Sequence, residues 1–238
     1  MGRYLYNAVF YQLVIFLRIK QAVFFTLIFP VFLFVIFGNI WGKSDIWYVE
    51  FIFFGVLAMT VTSDGLYAIG PVIKEYYANG LIKYLNKMPQ SVLTHFVGLI
   101  LSRIFVLVSI FLVLAITAFL VFGYVVTLTK ILAGLLLIVL GLFIFSFMGL
   151  ALSFANIKHK NDKGIIGFVY YIFLFTSDAF YPVGEFNSTI KMIGNLLPLN
   201  PLLQIAREGT FSPFVLAFWL IFPVCVFYYF YKKSDITR

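Results

Sequence analysis

Long apolar runs alternate with short polar passages along the whole chain. Six runs stand out, at about 22–41, 50–72, 93–122, 131–156, 164–181 and 213–231. The hydrocarbon core of a bilayer, ~30 Å thick, requires roughly 20 apolar residues per spanning helix. The pattern therefore predicts an all-α integral membrane fold with six transmembrane helices, forming one domain over 1–238.

The first twenty residues have a different pattern. Polar and apolar side chains alternate over 3–20 at near-helical spacing, so that Tyr4, Val9 and Leu13 share one face. This pattern is typical of a helix that lies in the membrane interface. The alternative is a frayed start to the first run. The stretch lacks the layout of a cleavable signal peptide, so we expect the first run to direct insertion.

Composition agrees with a membrane protein. Hydrophobic residues make up 63% of the chain and charged residues 11%, whereas soluble domains are about half apolar and about a quarter charged. So few charges cannot cover a water-facing surface, and the runs leave no room for a sizeable soluble domain. The single cysteine, Cys225, excludes an intramolecular disulfide and a cysteine-based metal cluster.

The distribution of Lys and Arg predicts the orientation. The termini and the loops at 73–92 and 157–163, with the ends of the adjoining runs, carry thirteen of these residues, whereas the other side carries only Lys43, Lys130, Lys191 and Arg207. Cytoplasmic loops carry the basic excess, so both termini are predicted to be cytoplasmic. The net charge of +8 therefore reflects topology and attraction to anionic lipid headgroups, and it does not indicate nucleic-acid binding.

The longest cytosolic passage covers 73–91 and reads I-K-E-Y-Y-A-N-G-L-I-K-Y-L-N-K-M-P-Q-S. It predicts an amphipathic helix that could bind in a groove of a partner. Pro89 would stop this helix before the third run. The alternative is an ordinary linker. The candidate anchors are Tyr76, Leu81, Tyr84 and Leu85.

The outer passage, 182–212, is too polar to span the membrane and too apolar for a free loop. Its spacing predicts two short helices that dip into the outer leaflet and are separated by Pro198 and Pro201. Irregular backbone at that depth is tolerated only against protein or a water-lined cavity. The alternative is a surface hairpin.

Three ionisable residues lie inside the runs: Asp64, Arg103 and Asp178. Such residues cost about 2.5–3.5 kcal/mol at mid-bilayer and are functional by default. Asp64 and Arg103 would each lie roughly 14 Å from the cytosolic end, so we hypothesise an ion pair between them. In the alternative, Asp64 bonds to Thr60, Thr62 or the backbone. Asp178 lies near the outer end, where hydration is the alternative.

No catalytic or nucleotide-binding constellation is evident. The segment Gly38 to Ser44 nearly matches a phosphate-binding loop, but it is one residue short and follows an apolar run instead of a strand. His95 and His159 lie at membrane edges and lack metal-ligand spacing. The energy for any transport by this chain must therefore come from a partner protein. Among the many aromatic residues, Phe54, Tyr67, Tyr170 and Phe173 are candidates for lining an apolar path.

The order of these features resembles the membrane subunits of ABC-2 type exporters over nearly the whole length. The first run, Phe24 to Gly38, resembles that of the drug and peptide branch. The cytosolic passage keeps the family's acidic residue, glycine, leucine and proline, although Leu81 replaces the usual Thr after the glycine. These residues are Glu75, Gly80, Leu85 and Pro89, and the outer passage contributes Phe180, Tyr181, Pro182, Pro198, Asn200, Pro201 and Arg207.

The resemblance implies a permease without an enzymatic site in a bacterial plasma membrane. Two such subunits would pair, as a homodimer or a heterodimer. Two cytosolic ABC ATPase subunits would bind ATP and Mg, while this chain would bind no cofactor, and 73–91 would be the coupling helix. The expected cargo is a hydrophobic or amphipathic drug, peptide antibiotic or lipid. The alternatives are a lipid-linked polysaccharide exporter and a non-transporting immunity or scaffold protein.

Overall fold

The computed structural model describes residues 2–42, 45–85, 87, 92–155, 162–210 and 212–233. Within these ranges the regular elements are all helical, with a π-helical turn at Phe24–Ile28 between the second and third helices. The helices are α1 (Gly2–Arg18), α2 (Lys20–Val23), α3 (Phe29–Trp41), α4 (Ile46–Ala68), α5 (Gly70–Ala78), α6 (Leu81–Leu85), α7 (Val92–Phe122), α8 (Leu128–Ala155), α9 (Asp162–Thr176), α10 (Val183–Phe186), α11 (Ser188–Leu196), α12 (Leu199–Glu208) and α13 (Pro213–Lys233).

The all-α membrane fold is confirmed. Five helical segments in the described residues are long and apolar enough to cross a membrane. The fifth predicted run forms only the 15-residue helix α9, which would be about 22 Å long at 1.5 Å per residue. The five long segments are Lys20–Trp41, Ile46–Ala78, Thr94–Phe122, Leu128–Ala155 and Pro213–Lys233.

The prediction that the fifth run is helical to residue 181 is wrong for its last five residues. After α9, the Asp178 amide donates to Asn200 Oδ1 at 2.8 Å, and the Val183 amide donates to Asp178 Oδ1 at 2.8 Å. These bonds replace helical ones and hold the chain in a turn. Tyr181 also precedes Pro182, which disfavours helical backbone at the residue before it.

The N-terminal stretch is a packed helix and not a frayed start to the first run. Helix α1 lies along α7, where the Cβ of a side chain at Gly98 would come within 2.6 Å of the Ala8 Cβ. Phe16 and Gln12 on α1 are only 3% and 5% exposed. Ile19, with φ −88° and ψ 89°, separates α1 from the first span. The interfacial location of α1 stays a prediction.

Helices α4 and α8 form the centre of the molecule. Helix α4 is apolar all round, as expected of a fully enclosed helix, and most of its residues are buried. The two helices touch through glycines. A Cβ at Gly149 would lie 2.6 Å from the Leu66 carbonyl oxygen, and one at Gly65 would lie 2.6 Å from the Phe145 Cβ. Small residues allow such close approach between membrane helices.

The prediction of one helix over 73–91 is wrong. Residues 73–78 belong to α5, which prolongs the second span with an irregularity only at Ile69. A turn follows at Asn79 and Gly80, and Gly80 has φ +69°. This left-handed conformation favours glycine and separates α5 from the one-turn helix α6. Pro89 and the predicted stop lie outside the described residues.

The outer passage contains three short helices where two were predicted. Asn187 caps α11, because its side chain accepts from the amides of Thr189 and Ile190 at 2.9 and 3.1 Å. This cap interrupts the expected helical spacing after Phe186. Pro198 precedes α12, whereas Pro201 lies inside its first turn and does not break it. Proline is tolerated there because the first-turn amides have no helical acceptor.

We predict that Gly149→Leu lowers the melting temperature of the purified chain in detergent. The added side chain meets backbone atoms of Leu66 and Gly65, and such overpacking costs up to about 3 kcal/mol. Thermal unfolding followed by circular dichroism measures the effect.

Gly164→Leu is the matched control, because a Cβ at Gly164 meets nothing within 4 Å. Both substitutions gain similar helix propensity. Equal melting temperatures for the two variants would contradict the central role of the α4–α8 contact.

Candidate functional site

A groove of about 910 Å³ runs along α3, α4 and α9 and ends at α10 and the turn before it. Thirteen of its 21 lining residues are aromatic, and its one charged lining residue within the described ranges is Glu185. The volume lies in the range of about 300–1,000 Å³ typical of ligand sites. The aromatic lining comprises Phe25, Phe29, Phe37, Trp41, Trp47, Tyr48, Tyr67, Tyr170, Tyr171, Phe175, Phe180, Tyr181 and Phe186.

Two of the four aromatic residues proposed from the sequence line this groove. Tyr67 and Tyr170 both lie in its wall, with ring centroids 6.2 Å apart. Phe54 and Phe173 do not, because they are buried in the core at 0% and 5% exposure. Helix α4 is apolar on every side, so its sequence could not indicate which face is open.

The polar atoms of the groove wall are few and partly occupied. The Thr60 hydroxyl donates to the Val56 carbonyl oxygen at 2.8 Å. The Tyr48 hydroxyl donates to the Phe180 carbonyl oxygen at 3.1 Å and thereby ties α4 to the turn after α9. The groove can therefore hold an apolar body, with few hydrogen-bond partners to offer along its length.

A second, polar pocket of about 500 Å³ adjoins the outer end of the groove. Trp47, Pro182 and Glu185 line both, so the two spaces share a wall. The charged residues of the polar pocket are Glu50, Asp178, Glu185, Lys191, Arg207 and Glu208.

Arg207, predicted from the outer passage, organises this end of the molecule. Its guanidinium donates to the carbonyl oxygens of Asp178 at 2.7 Å and Phe51 at 2.5 Å. It also lies 3.6 Å from the centre of the Phe51 ring. Burial lowers the pKa of Arg207 to about 9, which leaves it charged at neutral pH. Arg207 thus fastens α12 to α4 and to the turn after α9.

The other outer residues predicted from the sequence surround Arg207. Asn200 bonds the Asp178 amide, as described above, and Pro182 lines both the groove and the polar pocket. Pro198 and Pro201 set the start of α12. Lys130 pairs with Glu50 at 2.5 Å and also donates to the Arg207 carbonyl oxygen. From the sequence, Lys130 was identified only as a basic residue on the predicted outer side. Its contacts with Glu50 and Arg207 could not be predicted, because both partners are distant in sequence.

The predicted pair of Asp64 and Arg103 is present. Arg103 Nη1 lies 3.4 Å from Asp64 Oδ1, and the two side chains are 13% and 3% exposed. The Arg103 guanidinium also lies 5.2 Å from the centre of the Phe16 ring on α1. The pair therefore joins α4 to α7, and Phe16 brings α1 to the same point. Thr60 and Thr62, the alternative partners, bond to helix carbonyl oxygens instead.

The cytosolic anchors separate into buried and exposed residues. Tyr76 is half-buried, because its hydroxyl accepts from Gln12 Nε2 at 3.4 Å and its ring lies 5.5 Å from the ring of His95. Gln12 also lies 3.2 Å from His95 Nε2. Tyr76 and His95 thus connect α5 and α7 to α1. This cluster was not predictable from the sequence, since a lone Gln on an amphipathic helix does not indicate a partner on another helix.

The exposed residues of the same region form a separate surface. Tyr84 on α6 is 65% exposed. Glu75, Lys83 and Lys87 are also exposed, while Leu81 and Leu85 are partly buried. We call Glu75, Lys83, Tyr84 and Lys87 the loop surface.

A family model described as "ABC-2 type transporter" matches residues 5–211. The chain belongs to this family. The match includes α1, the groove, the loop surface and the outer helices through α12. A search of curated proteins found no match.

Membership makes the chain a multi-pass membrane permease of ABC-type transport. Domains of this family supply the membrane component and normally work with separate ABC ATPases. Within the described residues, no group of three or more His, Cys, Asp or Glu could hold a metal ion.

We predict that Arg103→Gln destabilises this ABC-2 permease more than the double variant Asp64→Asn with Arg103→Gln. The single change leaves a buried carboxylate without its cation, which typically costs about 3–5 kcal/mol. The double change removes both charges and keeps similar shapes. Melting temperatures in detergent, completed by Asp64→Asn alone as a double-mutant cycle, measure the coupling. Additive single effects would show that the 3.4 Å contact contributes nothing.

Proposed function

We propose that this ABC-2 permease exports a hydrophobic or amphipathic cargo, driven by separate ATPase subunits. The observation that carries the proposal is the aromatic groove on α3, α4 and α9. Helix α4 continues through α5 to the loop surface. The continuous helical segment formed by α4 and α5 therefore connects the groove with the loop surface, where an ATPase could bind and apply force.

The loop surface is the proposed docking site for the ATPase. An exposed tyrosine flanked by charged residues suits a partner groove, since tyrosines are enriched among residues that dominate binding energy. Tyr76 was expected to be an anchor for the ATPase, but its contacts with Gln12 and His95 suit transmission from the loop to α1 instead. Glu75 remains available on the exposed side of α5. ATP and Mg would bind to the ATPase subunits.

The groove is open on one side within a single chain. A second permease subunit, identical or different, would close it and complete a path between the two chains. The resemblance to ABC-2 exporters implies that the second and fifth spans lie at the subunit interface, and we propose this role for α4 and α9 along the groove. Two permeases with two ATPases form the proposed complex, in a bacterial plasma membrane.

The proposed orientation has both termini in the cytoplasm. The end of α13 meets α5, since the Tyr77 and Tyr231 hydroxyls lie 3.5 Å apart. Lys232 and Lys233, which follow Tyr231 directly, therefore lie at the same end of the molecule as α5. This clustering of basic residues supports a cytoplasmic location for that end.

The groove favours a drug or peptide over a lipid-linked polysaccharide. A sugar polymer carries many hydroxyl groups, which lose water on binding and need hydrogen-bond partners. The groove supplies few, because the polar side chains among its described lining residues are Thr26, Thr60, Ser63, Glu185, two tryptophans and the tyrosines, which are mainly apolar rings. A non-transporting scaffold or immunity protein would not need an ATPase. Recruitment of an ATPase therefore distinguishes an exporter from such a protein.

We predict that Tyr84→Ala weakens binding of the partner ABC ATPase by at least about tenfold, because loss of a central aromatic anchor costs about 2 kcal/mol. The measurement is an affinity pull-down of the ATPase with purified permease, followed by titration in detergent. Transport-coupled ATP hydrolysis should fall in parallel.

Tyr6→Ala is the matched control, because Tyr6 is 69% exposed on α1 while Tyr84 is 65% exposed. It should leave ATPase affinity within about twofold. If the wild-type chain recruits no ABC ATPase, the exporter proposal is overturned. If both variants lose affinity equally, the loop surface is not the docking site.

A further inference from the structure

Glu185 occupies an unusual position. It lies on the one-turn helix α10, at the place where the aromatic groove meets the polar outer pocket. Among the described residues it is the only charged one that lines the groove. Its carboxylate is exposed and forms no ion pair or hydrogen bond with the described part of the chain. A carboxylate free to meet a ligand thus stands at the rim of an apolar space.

The surroundings of Glu185 are aromatic. The ring of Tyr181 contacts that of Phe186 at 5.8 Å in an edge-on arrangement. Farther along the wall, Trp41 stacks on Phe37 at 5.5 Å and meets Tyr48 edge-on at 5.9 Å. Aromatic faces attract cations, and the attraction grows when the site excludes water. Aromatic walls with one carboxylate are complementary to an apolar body that carries a positive charge.

The basic residues near the groove do not offset its preference for a positively charged ligand. Arg207 lines only the neighbouring polar pocket, and its guanidinium is engaged by the carbonyl oxygens of Asp178 and Phe51. Lys191 packs beside Gly184 on the polar-pocket side and does not line the groove. An anionic amphiphile in the groove would meet the Glu185 carboxylate with no free cation among the described lining residues. Charge complementarity therefore separates cations from anions of equal size.

We propose that the groove binds hydrophobic cations, with the apolar body against the aromatic wall and the positive charge beside Glu185. The proposal names the cargo class and so rests on the proposed export function. Binding itself requires only this chain, and it can be measured without the ATPase.

The test uses two probes of nearly identical size and shape but opposite charge, tetraphenylphosphonium and tetraphenylborate. Equilibrium dialysis of each radiolabelled ion against the purified full-length permease in detergent, with empty micelles as the blank, gives the two affinities. We expect the cation to bind at least about tenfold more tightly than the anion, because one carboxylate attracts the first and repels the second.

Glu185→Gln keeps the shape of the side chain and removes its charge. It should weaken tetraphenylphosphonium binding about tenfold and should not weaken tetraphenylborate binding. Glu208→Gln is the matched control, because Glu208 is an exposed carboxylate that lines the polar pocket and not the groove. It should change neither affinity by more than about twofold. Unchanged melting temperatures would show that all variants are folded.

Several results would overturn the proposal. Equal binding of the two ions, or unchanged cation binding in Glu185→Gln, would show that charge does not select the occupant. Binding of neither ion to a chain that is dimeric in the same detergent would show that a second copy covers the groove. A co-purified phospholipid that neither ion displaces would identify a lipid site. Loss of ATPase recruitment is measured separately, so failure of one proposal is distinguishable from failure of the other.

Discussion

The close approach of α4 and α8 is the contact on which the rest of the structure depends. In a bilayer, apolar side chains gain little by leaving lipid for a helix interface, so association depends on tight packing. A Cβ at Gly149 would lie 2.6 Å from the carbonyl oxygen of Leu66, which shows how near the two backbones lie. With this side of α4 closed, its remaining free face, which carries Thr60, Ser63 and Tyr67, forms the groove wall.

Buried charges then hold the helices around this centre in register. Toward the α5 end of α4, Asp64 and Arg103 join α4 to α7. Toward the other end of α4, Arg207 joins α12 to α4 through the Phe51 carbonyl oxygen. Gly55 lies beside it, where a Cβ would come within 1.7 Å of the Ala179 carbonyl oxygen. Each charge is costly in an apolar environment, and each is therefore matched to partners that only one arrangement of the helices supplies.

The sequence predicted the features that the bilayer itself dictates. Span length follows from membrane thickness, so the apolar runs correspond to helices. The Asp64–Arg103 contact followed from equal depth on two neighbouring helices. Features that depend on distant residues were missed. The end of α9 is set by Asn200, 22 residues farther along the chain from the Asp178 amide that it bonds. Lys74 and Glu75 suggested a water-exposed loop, yet Lys74 is 9% exposed and belongs to the helix that prolongs α4.

Under the proposed function, the continuity of α4 and α5 determines how a force applied at the loop surface reaches the groove. Ile69, the one irregular residue between α4 and α5, is followed at once by Gly70 against Gly149. Because two glycine backbones meet there without interlocking side chains, this contact resists tilting of α5 less than a packed side chain would. Tyr67, on the groove side of the irregularity, is only three residues before Gly70. Under the proposed function, the Gly70–Gly149 contact is therefore the natural pivot between the loop surface and the groove wall.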